Sequence, residues 1–202
     1  MNTTGILLPL FLLLVNSAHA QNSIPPIGEW REHLNYQTTR QVVKGDKIYC
    51  ATATNLFSVD ANGEMERYSK VNGLNDFGVS CIGWDDATQQ LVIAYNNSNI
   101  DILGKTGLIK NIGDIQRSSI SGNKTIYQVY CKNGLAYLST GLGVIVANLS
   151  KYEIKDTWYI GNGGGQVAVN AFTSDGNFYY ACLLYTSPSP RDRTRSRMPS
   201  SA

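Results

Sequence analysis

The chain is written in short apolar runs separated by polar turns, and one pair of runs recurs. Residues 90–103 read QLVIAYNNSNIDIL, residues 47–60 read KIYCATATNLFSVD, residues 134–148 read GLAYLSTGLGVIVAN, and residues 177–182 begin the pattern again as NFYYAC. The first large apolar residues of the four copies are Ile48, Leu91, Leu135 and Phe178, a spacing of 43 to 44 residues. That is the period of a β-propeller blade.

The second strand of each repeat (IYCATA, LVIAY, LAYLS, FYYAC) is apolar on both parities, so neither face can be left in water. A propeller blade is sandwiched between its neighbours, which covers both faces. The segments 65–68 and 109–112 mix charged with apolar residues, as exposed outer strands do. Strands are predicted at 41–43, 47–52, 56–59 and 65–68, then at 79–84, 91–95, 99–103 and 109–112. The third set is 126–131, 135–139, 144–148 and 158–160, and the fourth is 167–173 and 177–181. No run carries an i, i+3, i+4 apolar stripe, so no helix is expected. The expected fold is all-β: a β-propeller of about three and a half four-stranded blades, truncated before ring closure. The blades fall at about 37–78, 79–123, 124–166 and, incompletely, 167–184. So few blades cannot close a ring, and the sequence reads as a piece of a longer protein.

The ends have a different character. Residues 1–20 hold an apolar core over 6–15 followed by Ser17-Ala18-His19-Ala20, which fits a cleaved signal peptide. Residues 21–36, with Pro25-Pro26, form a lead-in. Residues 185–202 (YTSPSPRDRTRSRMPSSA) break off mid-repeat, without periodicity, and read as a non-native read-through tail. Arg191, Arg193, Arg195 and Arg197 in that tail account for the basic balance; without it the chain has 13 basic and 14 acidic residues. No nucleic-acid partner is therefore expected. Cys50, Cys81, Cys131 and Cys182 lie about one per blade inside strand-like runs, without a CxxC, which favours buried thiols over disulfides.

The linker VNGLND at 71–76, followed by VSCIGWDD at 79–86, resembles the two-component-regulator propeller repeat. Five further segments, IGEWREHLNY (27–36), IYCATATNLFSVD (48–60), LVIAYNNSNIDIL (91–103), GNKTIYQVY (122–130) and EIKDTWYIGNGG (153–164), resemble the amino-terminal propeller of the PorZ family. The resemblance covers about residues 27–181. It implies a non-catalytic cell-surface component of the type IX secretion machinery. Such a protein is exported, binds anionic lipopolysaccharide, and works with a sortase-like protease and an outer-membrane barrel protein to anchor cargo. The alternative is the periplasmic sensing propeller of a hybrid two-component histidine kinase, which would continue into a membrane helix and a kinase.

Chemistry finds little support in the residues. His33 is the one histidine after the signal peptide, and Asp85-Asp86 sit where a hairpin turn is expected. Gly141-Leu142-Gly143 lacks a following helix to hold a phosphate, the glycine run 161–165 reads as a linker, and Asp60-Ala61-Asn62-Gly63 reads as a turn rather than a calcium loop. No catalytic residue, metal or cofactor is expected. For ligand binding, Trp84, Tyr95, Asn96, Asn97 and Asn99 offer an aromatic face with planar amides suited to sugar hydroxyls; the alternative is that Trp84 and Tyr95 pack between blades and the Asn residues only make the turn. Lys105 and Arg117 could meet the phosphates of an anionic glycolipid.

Overall fold

The computed structural model describes residues 35–183. The expected signal peptide, the lead-in up to residue 34, His33 and the expected tail at 185–202 lie outside the described residues.

Four antiparallel sheets follow one another in chain order. The first holds β1 (Thr39–Lys44), β2 (Ile48–Thr52), β3 (Leu56–Val59) and β4 (Met65–Tyr68). The second holds β5 (Val79–Asp85), β6 (Gln90–Tyr95), β7 (Ile100–Gly104) and β8 (Ile109–Ile112). The third holds β9 (Ile126–Lys132), β10 (Leu135–Thr140), β11 (Val144–Asn148) and β12 (Glu153–Trp158). The last pairs β13 (Val169–Ser174) with β14 (Tyr179–Leu183). Each sheet is a simple up-and-down meander. Three complete blades and two strands of a fourth result, without a closed ring among the described residues.

The two-faced apolar strands explain why the sheets stack. Leu91, Ile93 and Tyr95 of β6 join Tyr49, Ala51, Leu56 and Tyr68 of the first blade in one core. Val92 and Ala94, on the opposite parity, join Ile126, Val129, Ala136 and Leu138 of the third. Tyr137 of β10 then meets Val169 and Phe172 of the fourth sheet. Every interblade layer is therefore built from alternate residues of the same strands.

Polar groups lock the stack where side chain meets backbone. The Gln41 amide donates to the Ile82 carbonyl at 2.8 Å and accepts from the Ile82 N–H at 2.9 Å, so β1 clips β5. Gln128 of β9 accepts from the Phe172 N–H at 2.6 Å, which repeats the device between the third and fourth sheets. Ser80 donates to the Ile126 carbonyl at 2.6 Å. Asp85 is closed off from solvent; it accepts from the Thr88 N–H and hydroxyl in its own hairpin and from the Gly134 N–H of the third blade. Its role is turn and interblade bonding, in line with the turn expected there.

Three details differ from expectation. The outer strand of the third blade is β12, ending at Trp158 rather than beginning there, and it pairs with β11 from Glu153 onward. One turn of helix, α1 (Asp114–Arg117), lies between the second and third blades. All four cysteines are free, but Cys131 is only half-buried and Cys182 is exposed, because no further strand covers β14 among the described residues.

Candidate functional site

In a meander, successive turns alternate between the two ends of a blade, and this sorts the candidate residues. The turn 96–99 between β6 and β7 lies at one end, here the upper, with the blade-to-blade connectors 69–78 and 113–125. The turns 86–89 and 105–108 lie at the other, lower end. Asn96, Asn97, Asn99 and Arg117 therefore sit at the upper end, and Trp84 and Lys105 at the lower. The single constellation expected from the sequence does not form.

Two of its members are interior groups. Tyr95 is fully buried, and its hydroxyl donates to Asp101 Oδ2 at 2.6 Å. Asn99 is buried too: its Nδ2 donates to Asp76 and its Oδ1 accepts from Asn111 at 2.9 Å. Neither can present its polar atoms to a sugar, and the reason is the two-sided burial of β6 and the turn that continues it. Trp84 is half-buried; it stacks on Tyr49 with centroids 5.7 Å apart and donates from Nε1 to Asp86 at 2.9 Å. It packs one blade on the next. Arg117 is exposed and lies 3.4 Å from Asp114 on its own helical turn.

What remains at the upper end is a rigidly held rim. Asp101, buried in β7, accepts from the Asn75 N–H and side chain, from Tyr95 and from Asn111. The connector 69–78 is thereby tied to β6, β7 and β8. One residue further on, Asp76 accepts from Asn97 and Asn99. Burial alone would raise the Asp76 carboxyl, but the hydrogen bonds from Asn97, Asn99 and the Phe77 N–H outweigh it and hold the group below its usual range. Gly78 accepts from the Asn96 N–H at 2.9 Å in a left-handed conformation (φ 76°), and a Cβ there would lie 2.8 Å from Asn96 Nδ2. This network presents Phe77, 70% exposed, with Lys70 above its ring at 6.0 Å, between Asp76 and Gly78, to which Asn97 and Asn96 are bonded. Phe77 was not among the expected site residues; its signal was an aromatic residue between Asp and Gly in a linker.

The lower end holds a polar cleft of about 240 Å³ between the first two blades. Asp46, Lys47, Tyr49, Glu66 and Tyr68 come from the first blade, and the turn carrying Lys105 comes from the second. Lys47 bridges to Glu66 at 2.6 Å; Tyr68 donates to Glu66 at 2.8 Å, and Tyr49 to Asp46 at 2.8 Å. The bonds from Lys47 and Tyr68 lower the Glu66 carboxyl, and the bond to Glu66 raises the Lys47 ammonium. Burial, then the bond to Asp46, pushes the Tyr49 phenol up. Among the described residues no group of His, Cys, Asp and Glu is arranged to hold a metal ion.

Comparison with known proteins bears on the family and the fold. Residues 48–188 match the family described as the type IX secretion system PorZ N-terminal β-propeller domain. The chain belongs to the PorZ N-terminal propeller family. Among solved structures it is similar to PorZ of Porphyromonas gingivalis, described as an essential bacterial surface component of the type IX secretion system, at 23% identity and a TM-score of 0.59. The match covers 72% of this chain and 19% of that one, so the chain spans about a fifth of that relative's length. Two extracellular domains assigned to hybrid two-component systems of B. thetaiotaomicron are also similar. One matches at 19% identity and a TM-score of 0.55, over 71% of this chain and 20% of that one. The other matches at 15% and 0.53, over 76% and 21%. At these identities the structural likenesses establish the propeller fold alone. A search of curated proteins found no match.

Proposed function

We propose that the protein is a non-catalytic, exported component of the type IX secretion machinery. It acts at the outer-membrane-associated cell surface, where it binds anionic lipopolysaccharide and passes it to a sortase-like partner beside an outer-membrane barrel protein. The observation that carries this reading is the PorZ family match across residues 48–188. Periplasmic sensing by a two-component propeller is the second reading, favoured by the two similar extracellular domains.

The upper rim of the second blade suits such a ligand. A sugar can lay its apolar face on the Phe77 ring while its hydroxyls exchange hydrogen bonds with the Asn96 and Asn97 amides. Lys70 and Arg117 lie on the same end to meet phosphate groups, each contributing little alone because exposed ion pairs are worth about 0–1 kcal/mol. Preorganisation by Asp76 and Asp101 limits the ordering cost of binding.

The test is capture of anionic lipopolysaccharide by the full-length protein. Wild type should retain it, and Phe77→Ala combined with Asn97→Ala should reduce retention severalfold with the fold intact. Wild type that retains none would sink the lipopolysaccharide reading, and retention by the double variant equal to wild type would remove the upper rim from it.

A further inference from the structure

The lower cleft carries bonding capacity that the fold leaves unused. Asp46 spends Oδ1 on the Tyr49 hydroxyl and the Lys47 N–H, and Glu66 spends Oε2 on Lys47 and Tyr68. Asp46 Oδ2 and Glu66 Oε1 have no hydrogen bond among the described residues. Lys47 uses one of its three ammonium donors on Glu66, and Lys105, exposed on the facing turn, forms no ion pair among the described residues. The lining thus holds two carboxylate oxygens without a hydrogen bond and spare ammonium donors on Lys47, beside Glu66, and on Lys105 of the second blade.

The geometry points to a binding site for one neutral, hydroxyl-rich ring, a single monosaccharide unit. The two carboxylates and two ammonium groups cancel in formal charge. A phosphate or carboxylate ligand would meet Asp46 and Glu66, and a cation would meet Lys47 and Lys105. Vicinal hydroxyls instead donate to the carboxylates and accept from the ammonium groups at once, forming the stronger charge-assisted hydrogen bonds on both sides. The volume of about 240 Å³ lies below the roughly 300–1,000 Å³ of drug-sized pockets, which fits one ring rather than a chain of them.

The cleft is held ready. Tyr49 and Tyr68 are buried and fix the two carboxylates through their hydroxyls, with Trp84 stacked behind Tyr49. The Lys105 turn is closed by bonds from the Gly104 N–H to the Leu108 carbonyl and from the Gly107 N–H to the Gly104 carbonyl, both at 2.9 Å. The site needs both blades, since the first supplies the acceptors and the second supplies Lys105. It lies at the opposite end from the Phe77 rim and does not rest on the lipopolysaccharide reading.

Calorimetric titration of the purified full chain with D-glucose, D-galactose, D-mannose and N-acetylglucosamine tests it, with inorganic phosphate and glycine as charged and zwitterionic probes. At least one neutral sugar should bind at millimolar strength, more tightly than phosphate or glycine. Lys105→Ala, on an exposed turn, and Glu66→Gln should each weaken it about tenfold or more while thermal melting shows both variants folded. Lys105→Ala should leave lipopolysaccharide capture unchanged. Absence of binding by every neutral sugar, preference for phosphate or glycine, or sugar binding indifferent to both cleft variants would overturn the proposal.

Discussion

The Asp101 carboxylate is shut away from solvent between Ile100 and Ile102, yet it accepts bonds from Asn75, Tyr95 and Asn111. A buried polar group is tolerable only when satisfied, and removing one partner strands the others at about 1–3 kcal/mol each. Asp101→Ala is therefore expected to cost at least about 3 kcal/mol in urea unfolding, since several buried donors lose their acceptor together. Tyr95→Phe, which removes one donor, should cost about 1–2 kcal/mol and leave ligand capture untouched, as an interior role requires. Asp76 adds a pH signature. Its folded carboxyl titrates below the ordinary 3.8, so its stabilising contribution is complete above that value and is lost as pH falls through the lower folded one. Asp76→Asn should melt about 2–4 °C below wild type at neutral pH, the shift that about 1 kcal/mol produces in a chain of this size. The gap should close below pH ~3.8, and a gap that persists into strong acid would mean that the charge is not what stabilises the rim.

At the level of strands, blade contact sets hard limits on residue size. A Cβ on Gly83 in β5 would lie 2.6 Å from Val129 Cγ1 and 3.1 Å from the Val129 carbonyl oxygen in β9. Gly83→Ala should destabilise by about 1–3 kcal/mol. Val129→Ala should recover part of that in a double-mutant cycle, because the side chain can retreat and the carbonyl cannot; additive losses would show that the two strands do not meet there. The strands whose second-strand runs are apolar on both faces were readable directly, since burial on both sides leaves only apolar choices in β6 and β10. The outer strand β12 was not, because EIKDTW is largely solvated and is held by backbone bonds to β11, which leave no mark on side-chain pattern. The helical turn Asp114–Arg117 is too short to show a period. The candidate sites divide the same way. Asp101 was not among the expected residues, although a charge inside an apolar strand is its signal. The cleft joins Asp46 and Glu66 to Lys105, residues far apart in sequence that only the stacking of two blades brings together.

Across the whole stack each blade touches only its neighbours, so its stability approximates a sum of blade and interface terms, as in other repeat architectures. The second blade has an apolar interface on each face, through Leu91, Ile93 and Tyr95 on one side and Val92 and Ala94 on the other. The fourth sheet has one, through Val169, Phe172 and the Tyr179 ring against Tyr137 and Trp158, and its far side leaves Phe178 and Tyr180 67% and 50% exposed. Local opening should follow that asymmetry, because segments with few buried apolar contacts open at far lower free energy than those at the centre. For the 202-residue chain alone, native-state hydrogen exchange is expected to give β6 and β10 the slowest amides and β14 the fastest, with protection falling by more than tenfold from the second blade to the fourth sheet. Gln128→Ala, which cuts the clip to the Phe172 N–H, should speed exchange in β13 and β14 and leave β6 as it was. Equal protection in all four sheets would instead mean that the blades open as one unit, and the nearest-neighbour account of this propeller would have to be given up.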